Sequence, residues 1–461
     1  TLPDVDAGEV RDRLSSRKGF VWLKREITQQ QQKDIYRLGI PGIGFLRENK
    51  RVYPTGAEVA HLIGLVNIDN QGIAGMEKWL DNNGLADLHR AGFATDRLQK
   101  PVELSIDLRV EHALRDELLK AKEKYKAQAA SGLVSNVRTG EIVALVSLPD
   151  FDPNNPKEAH DPDRINRLTT GVFEMGSTFK TLTLAMALDS GKANLNTLYD
   201  ARGALQYGKF AIHDTHPLGR SITLSEVFTF SSNVGAARVA LSQGVEAHKA
   251  FLRKLGQLER LRTELPESAS PIVPKRWSEL NTITIAFGHG IAVAPLQAVM
   301  GINAMVNGGL LIPPTFLKRS EEEARAMAKR VVKPETSEKI RYLMRLNAEI
   351  GTAKQADVKG YYIGGKTGTS EKVVGGRYSK KQVLNSFTAI LPADNPQYQL
   401  LVMLDEPKAL PETHGYITSG WNAVPTGGKV IARIAPLLGV EPRFDLPPSD
   451  RLILATSRTN Q

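Results

Sequence analysis

Ser177 and Lys180 stand three residues apart in the segment Ser177-Thr178-Phe179-Lys180, where an apolar helical pattern begins. Residues i and i+3 share one face of a helix, so the lysine amine would lie beside the serine hydroxyl. Lysine can remove the serine proton when burial or a nearby cation lowers its pKa. The helix N-terminus would also supply N–H groups for an oxyanion. The motif therefore predicts nucleophilic catalysis by a serine.

The spacing of this motif is common by itself. About two S-x-x-K matches are expected by chance in a chain of this length. The second match here is Ser15-Ser16-Arg17-Lys18. Because that segment is charged and no strand pattern flanks it, we interpret it as a solvated surface.

A second candidate motif is Ser231-Ser232-Asn233. Its hydroxyl could relay a proton between Lys180 and a leaving amine, and its amide could hold Lys180 and a substrate amide in place. Taken alone, the same three residues are more typical of a helix N-cap or a turn. Both interpretations stay open at this point.

The third motif is Lys366-Thr367-Gly368-Thr369, which follows two glycines and a predicted strand. The cation of Lys366 would lower the pKa of Lys180 and attract a carboxylate, which the two threonine hydroxyls could bind. Gly368 would let a substrate backbone lie against the strand edge. A chance match to these four residues is rare.

The elements around these motifs predict an α+β fold. A helix capped by Ser105 or Asp107 is followed by a β-hairpin around Arg138-Thr139-Gly140, and another helix runs from Ser177 to Gly191. Three later strands are predicted at 361–363, 386–391 and 399–404. The pattern favours a mixed antiparallel sheet with helices packed on it. Residues 1–100 are less regular, with a helix predicted from Val21 to Arg37.

Composition excludes several other kinds of protein. The chain has 461 residues, of which 41% are hydrophobic and 24% charged, as in ordinary globular domains. It contains no cysteine, which excludes disulfides, thiolate metal sites and cysteine nucleophiles. The net charge of +10 is spread along the chain without basic patches interleaved with aromatic residues, so we do not expect nucleic acid as a partner.

The three motifs in this order resemble those of penicillin-binding proteins and class A β-lactamases. Further segments make the chain similar to class B penicillin-binding proteins, and to the septal cell-division transpeptidases among them. Those segments are Arg51-Val52-Tyr53-Pro54, His61-Leu62-Ile63-Gly64, Gly72-Ile73-Ala74-Gly75-Met76-Glu77, Thr139-Gly140-Glu141-Ile142-Val143-Ala144, Asp152-Pro153-Asn154, Gly288-His289-Gly290-Ile291, Pro295-Leu296-Gln297 and Gly351-Thr352-Ala353. The resemblance covers nearly the whole chain.

Three positions depart from that family's usual pattern. Met175 replaces a proline, His289 replaces a tyrosine, and Glu111 stands where glutamine is common. None of these changes removes a catalytic group. Separately, His213-Asp214-Thr215-His216 offers metal-ligating side chains, but without further ligands we interpret it as a loop and expect neither a metal nor another cofactor.

The resemblance implies a serine transpeptidase fold at 101–445, an N-terminal interaction pedestal at 1–100 and a tail at 446–461. It implies a peptidoglycan D,D-transpeptidase of septal wall synthesis that β-lactams inhibit. Ser177, Lys180, Ser231, Asn233 and Lys366 would be catalytic, with Thr367, Gly368 and Thr369 binding substrate. The backbone N–H groups of Ser177 and Thr369 would form the oxyanion hole.

The same resemblance implies partners and a location. The expected partners are peptidoglycan stem peptides, β-lactam antibiotics, and divisome membrane proteins including a glycosyltransferase. The expected place is the periplasmic face of the inner membrane, where a helix preceding Thr1 would hold the protein.

Two other functions compete with the transpeptidase. In a serine β-lactamase of class A, a glutamate within E-x-x-L-N activates water, but Trp277 occupies that place before Leu280-Asn281. Class D enzymes also share the first motif, and Ser232-Asn233-Val234 fits their second. The other competitor is a non-catalytic β-lactam sensor, which would be acylated without transferring a peptide.

Overall fold

The computed structural model describes Leu2 and residues 5–16, 18–85 and 101–445. Its helices are α1 (Ala7–Leu14), α2 (Gln29–Arg37), α3 (Ala60–Ile63), α4 (Gly75–Leu80), α5 (Leu108–Lys124), α6 (Lys180–Asp189), α7 (Leu224–Thr229), α8 (Asn233–Gln243), α9 (Val245–Lys254), α10 (Glu279–Ile285), α11 (Pro295–Val306), α12 (Glu321–Met327), α13 (Pro334–Ile350) and α14 (Ala423–Leu437). Its strands are β1 (Leu65–Val66), β2 (Gly72–Ala74), β3 (Ala129–Asn136), β4 (Ile142–Leu148), β5 (Leu198–Asp200), β6 (Leu205–Tyr207), β7 (Phe210–Ile212), β8 (Ser221–Thr223), β9 (Leu310–Leu311), β10 (Lys329–Arg330), β11 (Gly364–Val374), β12 (Arg377–Leu391) and β13 (Tyr398–Asp405).

A five-stranded antiparallel sheet in the order β11-β12-β13-β3-β4 forms the centre of the fold. Alternate residues of a strand point to opposite faces, and β13 shows this directly. Leu400, Val402 and Leu404 pack in one core cluster with α5 and α14, whereas Leu401 and Met403 pack in the other with α6 and α11. Both faces of the sheet are therefore covered, which explains the continuous apolar run of β13.

The hairpin and the helices that flank it follow the sequence pattern. β3 and β4 pair on either side of Arg138-Thr139-Gly140. Asp107, rather than Ser105, is the N-cap of α5, because its side chain accepts from the backbone N–H of Arg109. Ser105 instead donates its hydroxyl to the carbonyl of Ile142, at 2.6 Å.

Two elements differ from the prediction. The strand expected at 361–363 begins only at Gly364, because Tyr362 has a left-handed backbone (φ +39°) and its ring lies 4.5 Å from the Arg345 guanidinium. The helix expected from Val21 begins at Gln29, where Thr28 and Gln31 form a capping box.

The N-terminal segment packs on the main body instead of building a core of its own. No described residue before Tyr53 is buried. After it, Val59, Leu62 and Met76 join the same core cluster as α6. A domain boundary near residue 100 remains a prediction, because residues 86–100 and the predicted tail, 446–461, lie outside the described part. Among the described helices, none combines the length and hydropathy of a membrane span.

A buried carboxyl group joins this N-terminal segment to the sheet. Glu111 on α5 is 1% exposed, accepts from the backbone N–H of Leu145 on β4 at 2.7 Å, and also accepts from the backbone of Val59. Burial, with a smaller contribution from the charge of Glu58, raises the pKa of Glu111 to about 8. At neutral pH the side chain is therefore protonated, which makes it a close substitute for the glutamine common in similar sequences.

Glu111→Gln should stabilise the protein increasingly as pH rises. The unfolded carboxyl loses its proton near its ordinary pKa of 4.5, whereas the folded one keeps it up to about 8. Between these values the folded state binds more protons, so the parent loses stability with rising pH and the amide variant does not. Thermal unfolding should show a difference in Tm that grows over this range. A difference equal at every pH, or one shared by the exposed Glu123→Gln control, would contradict this explanation.

Candidate active site

Ser177 lies in a 3-10 turn (Gly176–Phe179) that leads directly into α6. The motif therefore sits just before the α-helix and not within it, but a 3-10 turn also places residues i and i+3 above one another. Lys180 Nζ is 3.0 Å from Ser177 Oγ. Gly176 has φ +54°, and a Cβ there would lie 2.5 Å from Ser370 Oγ, so the turn requires glycine.

The surroundings of Lys180 favour a neutral amine. Its side chain is fully buried, and Nζ lies 2.6 Å from the Ser231 carbonyl and 2.8 Å from Asn233 Oδ1. Both oxygens can only accept, so they take the two hydrogens of a neutral amine. The lone pair of Nζ is then left for a hydroxyl, either that of Ser177 or that of Ser231, which is 3.1 Å away.

The pKa of Lys180 agrees with this hydrogen-bond count. Burial lowers it well below the usual 10.5, and the positive charge of Lys366 lowers it further. The negative charge of Asp214 acts in the opposite direction. Lys180 therefore gives up its proton more readily than an ordinary lysine, which suits it to accept the Ser177 proton.

Lys366 brings a second buried amine to the same place. It lies on β11, the edge strand of the sheet, so its motif is inside a strand and does not follow one as predicted. Its Nζ is 2.9 Å from Ser231 Oγ and 5.6 Å from the centre of the Phe228 ring. Burial lowers the pKa of Lys366 to about 7. Ser231 Oγ thus lies within hydrogen-bond distance of two amines.

The second motif contains both a helix cap and site residues. Ser232 is the N-cap of α8, and its Oγ accepts from the backbone N–H of Gly235 at 2.8 Å. Ser231, with a left-handed φ of +59°, and Asn233 turn their side chains toward Lys180. The two interpretations of this motif therefore apply to different residues.

Sequence reasoning missed Asp214, which holds this turn in place. Its Oδ2 accepts from Ser232 Oγ at 2.7 Å, and its Oδ1 accepts from the backbone N–H groups of Asn233 and Val234 at 2.5 and 2.9 Å. The segment His213–His216 was correctly interpreted as a loop, yet nothing local shows that its carboxylate reaches a turn 18 residues away. Asp214 fixes the positions of Ser231 and Asn233 through the backbone between them.

The third motif runs along β11, where alternation places Thr367 and Thr369 on one face of the strand. Thr369 Oγ1 accepts from the backbone N–H of Ser419 at 3.0 Å, and Thr367 Oγ1 is 2.8 Å from Thr352 Oγ1. A Cβ at Gly368 would lie 2.3 Å from Ser386 Oγ, so packing alone already requires glycine there. A role for Gly368 toward substrate stays a prediction.

His289 belongs to a cluster of side chains beside the Ser177 turn. Its ring contacts Tyr378 edge-on at 5.6 Å, and the Tyr378 hydroxyl donates to Glu174 Oε1 at 3.1 Å. Burial, together with the charge of Lys180, lowers the pKa of His289 to about 4, so its imidazole is neutral at physiological pH. The substitution noted in the sequence thus replaces one neutral aromatic ring with another.

The other S-x-x-K match is a surface feature, as predicted. Ser15 is exposed at the end of α1, where its hydroxyl donates to the carbonyl of Arg11 at 2.8 Å. Lys18 is also exposed.

The chain is similar in sequence to known transpeptidases. Residues 130–420 match the family model described as the penicillin binding protein transpeptidase domain. The chain is 39% identical over 429 residues to the probable peptidoglycan D,D-transpeptidase FtsI of Caulobacter vibrioides, covering 91% of this chain and 72% of that protein. It is 30% identical to the peptidoglycan D,D-transpeptidase FtsI of Escherichia coli, covering 94% and 76%.

Solved structures are similar as well. Penicillin-binding protein 3 of Mycobacterium tuberculosis, complexed with ampicillin, superposes with a TM-score of 0.74 at 25% identity, over 87% of this chain and 92% of that one. The transpeptidase domain of penicillin-binding protein 3 from Burkholderia pseudomallei gives 0.65 at 29% identity, over 75% and 98%.

Removing the charge of Asp214 should change the pH dependence of Ser177 reactivity. Asp214→Asn keeps an acceptor for the turn but removes the anion that supports the Lys180 ammonium, so the acidic limb of the acylation profile should move to lower pH. Asp214→Ala loses the hydrogen bonds and should slow acylation by roughly tenfold or more. Rates of labelling by a fluorescent penicillin across pH measure both effects.

The matched control is Asp200→Asn. Asp200 is the last residue of β5, and its carboxylate pairs with Arg202. Its profile should coincide with that of the parent. If Asp214→Asn also left the profile unmoved, or if Asp214→Ala labelled at the parent rate, the turn would not depend on this carboxylate.

Proposed function

The chain belongs to the penicillin-binding protein transpeptidase family, and we propose that it performs peptidoglycan D,D-transpeptidation through an acyl-enzyme on Ser177. The observation that carries the assignment of residues is the fully buried Lys180 amine, 3.0 Å from Ser177 Oγ, with carbonyl-type acceptors on its hydrogens. The reaction as a whole is the cross-linking of stem peptides in septal wall synthesis, which β-lactams inhibit.

The first half-reaction transfers the peptide to Ser177. Lys180 accepts the hydroxyl proton while Oγ attacks the carbonyl of the penultimate D-Ala, and a C–O bond forms. When the intermediate collapses, the C–N bond breaks and the terminal D-Ala leaves as an amine. Ser231 Oγ, within 3.1 Å of Lys180 Nζ, passes a proton to that leaving nitrogen and takes one from Lys180. No net proton is gained or lost.

The donor peptide would be held by the edge strand. The backbone N–H groups of Ser177 and Thr369 are proposed to bind the oxyanion, and Lys366, Thr367 and Thr369 the terminal carboxylate. Support for this placement comes from β11, since an edge strand leaves one side unpaired for an extended peptide. Oxyanion stabilisation of this kind is commonly the largest single contribution to acyl transfer.

The second half-reaction requires an amine rather than water. An acceptor amine attacks the ester and forms a C–N bond, and its proton passes through Ser231 to Lys180. The C–O bond then breaks, and Lys180 gives that proton to the departing Ser177 oxygen. The hydrogen-bond partners of the Lys180 and Lys366 amines among described residues are hydroxyl, carbonyl and amide oxygens, with no carboxylate. Among the described residues, neither amine thus has beside it the carboxylate base that a class A β-lactamase uses to activate water.

The same observation weighs against a serine β-lactamase. Trp277, which occupies the class A glutamate position, donates its indole N–H to Thr282 Oγ1 at 2.9 Å and packs edge-on against His248. A non-catalytic sensor would also form a stable adduct, so peptide transfer is the property that separates it from a transpeptidase.

The proposal extends to the partners of the protein and to its location in the cell. Peptidoglycan and β-lactams are the ligands of the reaction itself. A glycosyltransferase and other divisome membrane proteins would bind the N-terminal segment, whose residues before Tyr53 are all at least partly exposed where described. The site of action would be the periplasmic face of the inner membrane, where the substrate is found, with an N-terminal membrane helix as anchor.

A β-lactam should form one covalent adduct, and it should map to Ser177. Intact-protein mass before and after penicillin, followed by peptide mapping, measures this. Ser177→Ala should fold with an unchanged Tm and take no label, because it removes the attacking hydroxyl; Ser231, which also lies beside the buried amines, serves as the proton relay. Ser15→Ala is the matched control and should label like the parent. Label on Ser15, or label that survives in Ser177→Ala, would contradict the assignment.

The adduct should also be long-lived, because no described carboxylate bonds to the Lys180 or Lys366 amine, where it could help to activate water. A chromogenic cephalosporin should be consumed stoichiometrically with the enzyme. Steady consumption in many-fold excess, abolished by Ser177→Ala, would instead identify a β-lactamase. Adduct formation without peptide transfer to an added amine acceptor would identify a sensor.

A further inference from the structure

Thr367 and Thr369 were both predicted to bind substrate, but their hydroxyl groups have different hydrogen-bond partners. Thr369 Oγ1 accepts from the backbone N–H of Ser419 at 3.0 Å. Because that bond uses an oxygen lone pair, the Thr369 hydrogen remains available for a ligand. Thr367 has no such backbone donor among its described contacts, and its Oγ1 bonds instead to the Oγ1 of Thr352 at 2.8 Å.

Asn347 offers a second acceptor to the Thr352 hydroxyl and so bears on the direction of that bond. This residue is fully buried, and its Nδ2 donates to the carbonyl of Gly365 at 2.8 Å, which fixes Oδ1 as the acceptor end of the amide. Oδ1 accepts from the backbone N–H of Thr352 at 2.9 Å and from Thr352 Oγ1 at 3.1 Å. Thr352 has one hydroxyl hydrogen, which can go to Asn347 Oδ1 or to Thr367 Oγ1; when it goes to Asn347, Thr367 is the donor between the two threonines.

We assign to the free enzyme the chain Thr367 to Thr352 to Asn347, each hydroxyl donating to the next, because it uses both acceptor oxygens within reach. In this arrangement the Thr367 hydrogen points away from a carboxylate ligand. Reversing the direction of these hydroxyl bonds costs little free energy, because Asn347 Oδ1 still accepts from the Thr352 backbone N–H when the Thr352 hydroxyl turns away. After the turn, Thr352 donates to Thr367, which polarises the Thr367 hydroxyl as a donor.

We propose that Thr352 is a positioning residue that switches Thr367 into a hydrogen-bond donor when the carboxylate of a substrate or β-lactam enters the site. The inference rests on the proposed function, because it concerns the terminal carboxylate of the same ligands. Thr352 does not touch the reacting atoms. It acts through Thr367, and Asn347 provides the acceptor that holds the hydroxyl between ligand-binding events.

The switch predicts an effect confined to ligands with a free carboxylate. Thr352→Val should reduce the second-order rate of acylation by a cephalosporin roughly tenfold, about the effect of one hydrogen bond to a charged group. The methyl ester of the same cephalosporin should acylate the variant and the parent at equal rates. Thr352→Ser, which keeps the hydroxyl, should restore the preference for the free acid.

Thr426→Val is the matched control, since its hydroxyl donates to the carbonyl of Asn422, the N-cap of α14, at 2.8 Å. It should leave both rates unchanged. Equal losses for acid and ester in Thr352→Val, or no loss for either, would overturn the switch. If the parent itself formed no adduct with either compound, the proposed function would fail instead, so the two failures are distinguishable.

Discussion

A lysine side chain without access to water is the constraint on which the rest of this site depends. Moving an ammonium ion out of water is costly, and among the described residues no carboxylate lies within hydrogen-bond distance of Lys180 to offset that cost. The amine therefore gives up its proton more readily. Two acceptor oxygens, from the Ser231 carbonyl and the Asn233 amide, then fix its hydrogens and leave its lone pair for a hydroxyl. Burial thus supplies the base, and hydrogen bonds supply its direction.

Each structural layer contributes to that environment. The sheet positions Lys366 on its edge strand, close enough for its charge to lower the pKa of Lys180 further. α6 carries Lys180 into the core, with nine of its ten residues buried. The left-handed Ser231 turns a carbonyl and a hydroxyl toward the same amine, and Asp214 holds that turn from outside. The groups proposed to be catalytic come from three separate segments, so only the complete fold brings them together.

The sequence predicted the parts of this arrangement that depend on local spacing. The pair Ser177 and Lys180 needed only a helical turn, and the alternating or apolar runs of β3, β4 and β13 needed only the period of a strand. The predicted helix at Val21 and the strand at 361–363 were wrong where a cap and a left-handed residue, respectively, overrode the pattern. Neither of these two wrong predictions concerned a residue of the three motifs.

What the sequence could not predict were contacts between distant segments. Asp214 lies in a loop whose composition suggests only a turn, and Thr352 bonds to Thr367 across 15 residues. Neither carries a signal in its own neighbourhood, because the partner of a polar side chain is decided by tertiary packing. The direction of a hydroxyl hydrogen is even less accessible to sequence, since it depends on which acceptors surround Thr352 in the folded protein.

The most direct measurement of the central claim is the titration of the Lys180 amine itself. Protein labelled with 15N at lysine Nζ would be followed by NMR across pH, with Lys180→Arg used to assign the signal. The amine should titrate far below the usual lysine pKa of 10.5, and Lys366→Met should raise that value because it removes a neighbouring positive charge. A Lys180 signal that titrates at an ordinary lysine value, unmoved by Lys366→Met, would contradict the account of a neutral base made by burial.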